Sequence, residues 1–255
     1  METTRYLAPV LALALAACAT PSAEPPAGRS QPQSPDELPA ALRSGEPYAP
    51  SIDAADFVAT IDNPYFPLIP GTRWVLRGSG DAEGEIDEIE VLGETHTVMG
   101  VDCVVVRDIV SEGGEPVEVT DDWFAQDADG NVWYFGEETA EYEDGEVVNT
   151  VGAWEAGVDG AQPGIIMPAD PQVGMIYRQE FYAGEAEDIG EVVELSASAD
   201  VPLGSYEEVL VTEDWTPLEP DVRERKFYAP GVGLIGELQI AGGGDVFELT
   251  EFRAP

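Results

Sequence analysis

The sequence contains few of the residues that build the common catalytic and metal centres. Its one histidine is His96, and its two cysteines are Cys18 and Cys103. Multi-histidine zinc sites and catalytic triads both need placed imidazole groups, so the sequence argues against them. Cys103 lies in an apolar strand pattern, and we expect it to be a buried structural residue rather than half of a disulfide. No glycine-rich loop joins a strand to a helix, so nucleotide binding has no support.

Basic residues are also scarce. The chain has 11 Lys and Arg residues against 51 Asp and Glu residues, which gives a formal net charge of −40. A surface this negative repels nucleic-acid phosphates and anionic lipid headgroups, so we expect no nucleic-acid partner. It favours cations, or simply solubility in a salty medium.

Long hydrophobic runs are absent except at the N-terminus. The segment 6–18, YLAPVLALALAAC, has about a dozen apolar residues and is too short to span a bilayer as a mature helix. Its end, Leu15-Ala16-Ala17-Cys18, resembles the lipobox of bacterial lipoproteins. The resemblance implies cleavage before Cys18 and acylation of that residue, which would anchor the protein in the membrane. The alternative is an ordinary secretory signal with a chance cysteine.

The residue after Cys18 bears on the location of the protein. It is alanine rather than aspartate. By the sorting habit of bacterial lipoproteins, the resemblance then implies the outer membrane of a Gram-negative cell envelope, with the protein facing the periplasm or the cell surface.

Composition divides the chain into three parts. The lipobox resemblance implies that residues 1–17 are a lipoprotein signal peptide and that Cys18 is lipidated, and the composition of residues 18–50 predicts a tether rich in Pro, Ser and Ala that begins with this cysteine. The tether has too few large apolar residues to fold, apart from a short helix predicted within 34–44. Residues 51–255 are expected to form one folded domain.

Alternating apolar residues and turn signals predict strands almost throughout this domain. The candidate strands are 72–78, 85–92, 102–111, 117–126, 131–136, 139–148, 175–182, 189–196, 206–215, 223–229, 233–240 and 245–253. We therefore predict an all-β fold, a single antiparallel meander that forms a barrel, half-barrel or sandwich and so avoids open edges. The segment 149–174 breaks the rhythm and is predicted to be a long loop that caps the barrel.

Four phrases, at 63–78, 122–137, 154–174 and 226–237, begin NPYFPLIPGT, DWFAQDADGN, WEAGVDGAQP and KFYAPGVGLI. Together they resemble a family of bacterial secreted proteins and lipoproteins, and this resemblance implies no particular activity. The phrase YAPGVGL also resembles LolA-like half-barrels, which bind lipid in a hydrophobic cavity.

The stretch 127–138 resembles a calcium loop, with Asp127, Asp129 and Asn131 at alternating positions and Glu138 at the twelfth. An EF-hand needs glycine at position six, where this chain has Val132, and the flanks are strand sequences rather than helices. Two interpretations remain. One is a β-hairpin turn, and the other is a reduced site in which Asp127, Asp129 and Asn131 bind calcium, the one candidate cofactor.

Aromatic and sulfur-containing residues in irregular segments are the candidates for contacts with a ligand. They are Tyr65, Phe66, Trp154, Met167 and Trp215. Packing in the core is the alternative for each of them.

Paired carboxylates could also act as acid and base in a hydrolase, with Glu155, Asp159 and residues 180–188 as examples. With 51 acidic residues such pairs arise by chance, so no catalytic residue is assigned. Arg107, Arg178 and Arg225 could form structural ion pairs or converge in an anion pocket.

The sequence thus predicts an outer-membrane-anchored lipoprotein whose β domain binds a small apolar or amphipathic molecule. The alternatives are a calcium-binding module, an envelope scaffold without a small ligand, and a carboxylate hydrolase. The oligomeric state is left open.

Overall fold

The computed structural model describes residues 42–43 and 46–255. Cys18, most of the tether and the predicted short helix lie outside the described residues. In the part that is described, no helix is long and apolar enough to cross a membrane.

The described chain consists almost entirely of strands, preceded by one 3-10 turn at Ala54–Asp56. The strands are β1 (Phe57–Val58), β2 (Arg73–Gly80), β3 (Glu85–Val98), β4 (Val101–Glu112), β5 (Glu115–Asp127), β6 (Val132–Glu143), β7 (Glu146–Asn149), β8 (Trp154–Glu155), β9 (Gln162–Met167), β10 (Ile176–Arg178), β11 (Glu180–Phe181), β12 (Ile189–Val201), β13 (Gly204–Trp215), β14 (Arg223–Ala229), β15 (Gly233–Ala241) and β16 (Asp245–Arg253).

These strands form one antiparallel sheet that curls into a nearly closed barrel, as the sequence predicts. Strands β2 to β6 make one consecutive meander and β12 to β16 make another. Pairing of β16 with β2 joins the two meanders. The whole barrel therefore lies between residues 57 and 253.

The segment 176–181 brings the two ends of the strand order together. Its first part, β10, pairs with β12, and its second part, β11, pairs with β9. The close approach depends on Gly164 in β9, because a Cβ atom there would lie 2.5 Å from the backbone of Gln179. A larger residue at 164 would push the two ends of the sheet apart.

The region from 131 to 174 differs in part from the sequence prediction. The two strands predicted at 131–136 and 139–148 are one strand, β6, followed by the short β7. Gly136 has a φ of 134°, and a Cβ atom there would lie 2.3 Å from the carbonyl oxygen of Trp154. The glycine thus lets the strand continue through what resembles a turn. The expected capping loop contains β8 and β9, which both pair with β6 and extend the sheet.

The barrel interior changes character along its axis. At one end it is an apolar core that includes Ile61, Val98, Cys103 and Met167, all at most 1 % exposed. Cys103 is buried as predicted, and burial raises the pKa of its thiol to about 12. At the other end acidic residues point inward from the same strands.

Candidate functional site

A cavity of about 150 Å³, partly open to the surface, lies where the apolar and acidic parts of the barrel meet. By the same measure about 10–15 Å³ is enough for one water molecule, so the cavity has room for a small organic molecule. Its walls are formed by Phe66, Pro67, Leu68, Trp74, Ile89, Val106, Asp108, Asp122, Phe124, Tyr134, Ile166, Gln179, Glu180, Asp188, Lys226, Tyr228, Gly233, Leu234 and Glu237.

The apolar wall is built around four aromatic rings. Phe124 of β5 and Tyr134 of β6 are direct cross-strand partners, and their rings stack with centroids 4.9 Å apart. The ring of Phe66 packs edge-on against Phe124 at 5.4 Å and lies 6.2 Å from Tyr228. These contacts give the cavity a rigid aromatic side.

Phe66 belongs to a loop that is fixed by side chains rather than by a strand. Asn63, only 3 % exposed, donates to the carbonyl oxygens of Gly130 and Pro168 and accepts from the backbone N–H of Tyr65. The Gln126 side chain accepts from the N–H of Asn63 at 2.9 Å. The loop therefore holds the Phe66 ring in place against the cavity.

The acidic wall follows from the register of the strands. Asp122 in β5 lies directly opposite Glu137 in β6. In the β3–β4 pair, Asp87 and Asp108 are diagonal neighbours on the inner face, because Asp108 pairs with Ile89, two residues beyond Asp87. Carboxyl groups thus meet across both pairs of strands.

Burial raises the pKa of these carboxyl groups. The pKa of Asp122 rises to about 8, although the Tyr134 hydroxyl donates a 2.5 Å hydrogen bond that opposes the shift. Burial raises the pKa of Asp87 to about 7 and that of Asp188 to about 6. For Asp108, burial and the neighbouring Asp87 raise the pKa well above the usual range. Several of these groups therefore hold a proton near neutral pH.

The chain has a single lysine, and this residue lies in the cavity wall. Lys226 in β14 is directly opposite Glu237 in β15, and its Nζ lies 3.9 Å from both Asp214 Oδ2 and Glu237 Oε1. Burial lowers the pKa of Lys226, but the neighbouring carboxylates, Glu237 first, raise it further, so that it lies well above the usual value. The ammonium group is therefore charged and compensates part of the acidic wall.

Other oxygens in the acidic wall have no hydrogen-bond donor among the described residues. Glu180, 2 % exposed, has an unpartnered Oε2, and Glu137, 1 % exposed, has two unpartnered oxygens. Burial raises the pKa of Glu180 well above its usual value, while the indole of Trp154 opposes the shift. A buried polar group without a partner costs about 1–3 kcal/mol, so this part of the wall is incompletely satisfied.

The structure brings some of the predicted ligand-binding residues to the cavity and leaves others elsewhere. Phe66 lines it, and Trp154 packs edge-on behind Tyr134 at 5.4 Å. Tyr65 turns away and donates to the carbonyl oxygen of Glu208.

The remaining two predicted residues do not line the cavity. Met167 is fully buried in the apolar core. Trp215 packs in a separate small cluster with Ile189, and the guanidinium of Arg223 lies 4.5 Å from its ring.

The acidic wall and Lys226 are the features that sequence reasoning missed. A usable signal exists, since residues two apart in a strand share a face. Asp122 precedes Phe124 by two residues, and Lys226 precedes Tyr228 by two. A charged residue that lies two positions from a core aromatic residue is expected to point inward as well. Lys226 is also the one lysine in the chain, which makes it a stronger candidate for a special role.

The side chain of Asp127 stabilises the β5–β6 turn. Its Oδ1 accepts from the backbone N–H groups of Asp129 and Asn131 at 3.0 and 2.9 Å. Its Oδ2 accepts from the Asn131 amide and the Trp133 indole at 2.9 and 2.8 Å. Gly130 takes the left-handed conformation with a φ of 96°. These contacts are those of the hairpin interpretation.

The calcium interpretation gains no support from this turn. Among the described residues there is no group of three or more His, Cys, Asp or Glu side chains that could hold a metal ion. A calcium site at Asp127, Asp129 and Asn131 stays a prediction.

The other candidate groups lie in different places. Glu155 is 3.3 Å from the His96 ring, and Asp159 is in a turn with a φ of 49°. Neither residue lines the cavity, whereas Glu180 does. Arg107 forms a two-pronged ion pair with Asp121 at 2.7 and 2.6 Å, which is the structural role expected for at least one arginine.

The three arginines do not converge. Arg225 pairs with Glu213 at 3.4 Å, and Arg178 lies over the ring of Phe181 at 4.6 Å. Neither residue lies beside the Arg107–Asp121 pair, so an anion pocket made by these arginines is not formed.

Two solved structures are similar to this chain in fold. One is a candidate exported protein with a YmcC-like fold from Bacteroides fragilis, 14% identical, with a TM-score of 0.44, covering 74% of this chain and 99% of that one. The other is a candidate lipoprotein from Parabacteroides distasonis, 13% identical, with a TM-score of 0.40, covering 75% of this chain and 99% of that one. No family model matches the chain, and no curated protein matches it. No residue role is transferred from these distant similarities.

The hairpin contacts predict that Asp127→Ala destabilises the protein whether or not calcium is present. The substitution removes the acceptor of four N–H donors, and we expect a loss of about 1–3 kcal/mol in the free energy of unfolding. Asp129→Ala is the matched control, because the Asp129 side chain is exposed and the turn uses only its backbone N–H. Urea denaturation with calcium and with chelator measures both. A calcium-dependent loss in both variants would instead establish the metal site.

The raised pKa values predict that the barrel is more stable at pH 5 than at pH 8. Unfolded Asp and Glu titrate near pH 4, whereas the folded pKa is about 8 for Asp122 and about 7 for Asp87. The folded protein holds more protons in this window, so its free energy of unfolding falls as the pH rises from about 4 to about 8. Urea denaturation at pH 5 and pH 8 should differ by at least about 2 kcal/mol.

A matched pair of variants separates this effect from the repulsion of the whole surface. Asp122→Asn removes one titrating interior group, so the difference between pH 5 and pH 8 should shrink by about 1–3 kcal/mol. Asp221→Asn removes the same formal charge from an exposed side chain and should leave the difference nearly unchanged. Equal effects of the two substitutions, or greater stability at pH 8, would contradict the role assigned to Asp122.

Proposed function

We propose that this protein is an envelope lipoprotein, anchored through Cys18, whose barrel binds a small amphipathic molecule in the interior cavity. The observation that carries the proposal is the cavity itself, which joins an aromatic wall to a wall of polar groups. The lipobox and the Pro-rich tether at 18–50 support the anchor and a spacer between the membrane and the barrel. An outer-membrane location is part of the same proposal.

The position of the cavity argues for binding rather than imperfect packing. Protein interiors have few voids larger than one water molecule, because each void removes dispersion contacts. Here the space of about 150 Å³ is bordered by Phe66, Phe124 and Tyr228, and the ring of Phe66 packs against the other two rings. An apolar group that entered would gain about 25 cal/mol for each Å² removed from water.

The polar wall distinguishes a binding protein from a scaffold. A scaffold gains nothing from buried carboxyl groups, since apolar residues of similar volume would be at least as stabilising. Ligand pockets instead combine apolar walls with a few placed polar groups that orient the ligand. Asp122, Glu180 and Asp188 occupy that role in this cavity.

A carboxylate hydrolase is the second candidate for the same cavity. Such an enzyme needs one protonated and one ionised carboxyl group, and the pKa values of about 8 for Asp122 and about 6 for Asp188 meet that requirement near pH 7. No opposed acid and base positions around a scissile bond are assigned, so binding is the function we propose.

The anchor predicts a defined mass for the mature protein. Expressed in a Gram-negative bacterium, it should begin at Cys18, carry acyl chains on that residue and fractionate with membranes. Cys18→Ser should abolish acylation and leave the signal peptide attached. Mass spectrometry of the N-terminal peptide from both proteins measures this. A soluble mature protein cleaved elsewhere would establish the ordinary secretory signal.

The cavity predicts binding of the neutral fluorescent probe N-phenyl-1-naphthylamine, which has three aromatic rings and would enter only in part, through the open side of the cavity. The chain from residue 19 onward contains every strand of the barrel and avoids interference from acyl chains. We expect saturable fluorescence enhancement, which Ile166→Trp should weaken at least tenfold because the indole would occupy the cavity that Ile166 lines.

Tyr65→Phe is the matched control for this experiment, because Tyr65 neighbours Phe66 in sequence but turns away from the cavity. It should bind the probe like the wild type, and circular dichroism checks that each variant is folded. Absence of saturable binding, or equal binding by folded Ile166→Trp, would overturn the proposed function.

A further inference from the structure

We propose that the molecule bound in the cavity is a small amphipathic cation, an amine or amidine with an aromatic or aliphatic tail. This inference rests on the proposed function and names the class of its ligand. The ammonium group would lie against the carboxyl groups near Asp122 and Glu180, and the tail would lie among Phe66, Phe124 and Tyr228.

The balance of charge in the wall is the first argument. The residues that line the cavity include five carboxyl groups and one ammonium group. An anionic ligand would bring a further negative charge into this site, and a neutral ligand would leave the excess carboxyl groups to be neutralised only by protons. A cation supplies the missing positive charge and allows a neighbouring carboxyl group to ionise.

Glu180 supplies the second, independent argument. Its side chain is 2 % exposed and lines the cavity, and no hydrogen bond from the described residues reaches its Oε2. The indole N–H of Trp154, which opposes the rise in its pKa, is a neutral donor and makes no hydrogen bond itself. A buried carboxyl oxygen without a donor is costly, and a charged N–H donor makes the strongest hydrogen bond available to it. The chemistry that Glu180 lacks is therefore that of an ammonium or amidinium group.

A hydrogen-bond donor is also missing beside Asp122. Directly opposite it, Glu137 is 1 % exposed and has two oxygens without a donor. The hydroxyl of Tyr134 donates to one oxygen of Asp122, whereas Glu137, which lies outside the cavity lining, has no such donor. A primary amine carries three N–H donors when protonated and could bind Asp122 and Glu180 together, since both line the cavity.

Lys226 lies closest to a different part of the wall, although it also opposes the rise in the pKa of Asp188 and, more weakly, of Glu180. Its ammonium group lies 3.9 Å from carboxyl oxygens of Asp214 and Glu237. Asp122 instead has the carboxyl groups of Asp108 and Glu118 acting on it, and these raise its pKa after the larger effect of burial. The carboxyl groups that have no cation beside them are thus concentrated on the β4–β6 side of the cavity.

The aromatic rings suit the rest of such a ligand. The stacked Phe124 and Tyr134 rings lie beside Asp122, because Phe124 follows it by two residues and the Tyr134 hydroxyl donates to it. A cation within about 6 Å of an aromatic ring centre is further stabilised by the ring electrons. An apolar tail and a cationic head would therefore each meet a suitable surface.

Three compounds of similar size and different charge test the proposal. They are 2-phenylethylamine, 2-phenylethanol and phenylacetate, each used to displace N-phenyl-1-naphthylamine from the chain that begins at residue 19, in 0.15 M salt at pH 7. We expect the amine to bind at least tenfold more tightly than the alcohol, and phenylacetate to be the weakest of the three. Displacement of the probe reports the cavity and not the acidic outer surface.

Two variants decide whether the cavity carboxyl groups cause the preference. Glu180→Gln keeps the size of the side chain and mimics its protonated form, so the fold should persist; it should weaken the amine about tenfold and leave the alcohol unchanged. Glu83→Gln makes the same substitution at an exposed side chain and should change neither affinity.

The outcomes separate the two proposals. Equal affinities for the alcohol and the amine, or no effect of Glu180→Gln, would overturn the cationic ligand while saturable binding of the probe upholds the cavity. Failure of the probe and of all three compounds to bind would overturn both the ligand class and the proposed function.

Discussion

Carboxyl groups buried inside a β-barrel are the constraint on which the rest of this structure depends. Each inner position of a strand points into a space with little water, where a lone carboxylate is costly. The protein meets this constraint in three ways. Asp122 accepts from Tyr134, Lys226 lies between Asp214 and Glu237, and other groups such as Asp108 hold a proton because burial and neighbouring carboxyl groups raise the pKa. Stability, pH response and binding capacity all follow from how completely these groups are satisfied.

Most of the fold could be predicted because apolar residues recur at every second position along its strands. Apolar residues at alternate positions and glycine-rich turns predicted the long strands and the antiparallel barrel. The errors lie where glycine has a different role. Gly136 resembles a turn residue but sits within β6, where it permits the backbone of Trp154 to approach. The role of Gly164 could not be predicted either. Its backbone lies close to that of Gln179, where the two ends of the sheet meet, and no local sequence pattern indicates this contact.

The site was much harder to predict, and one pair of neighbours shows why. Asp121 and Asp122 are adjacent and chemically identical, yet Asp121 pairs with Arg107 while Asp122 lies in the cavity wall. They differ only in the face of β5 on which they lie. Among 51 acidic residues, the sequence does not identify the few that point inward. Phe66 was found because it lies in an irregular aromatic segment, whereas Tyr65 beside it was included for the same reason and turns away.

The single lysine shows how the cavity can exist before it is filled. If every interior carboxyl group depended on a ligand, the empty barrel would be strongly destabilised by charge repulsion and desolvation. Lys226 removes that dependence on one side, beside Asp214 and Glu237, and protonation removes it for others. Both oxygens of Glu137 and Oε2 of Glu180 still have no hydrogen-bond donor among the described residues. A partly satisfied polar network is the arrangement in which an added donor gains most, because it removes an existing penalty as well as making new bonds. Lys226 thus stabilises the carboxyl groups nearest to it, while Glu180 in the same cavity wall keeps an oxygen that a cationic donor could satisfy.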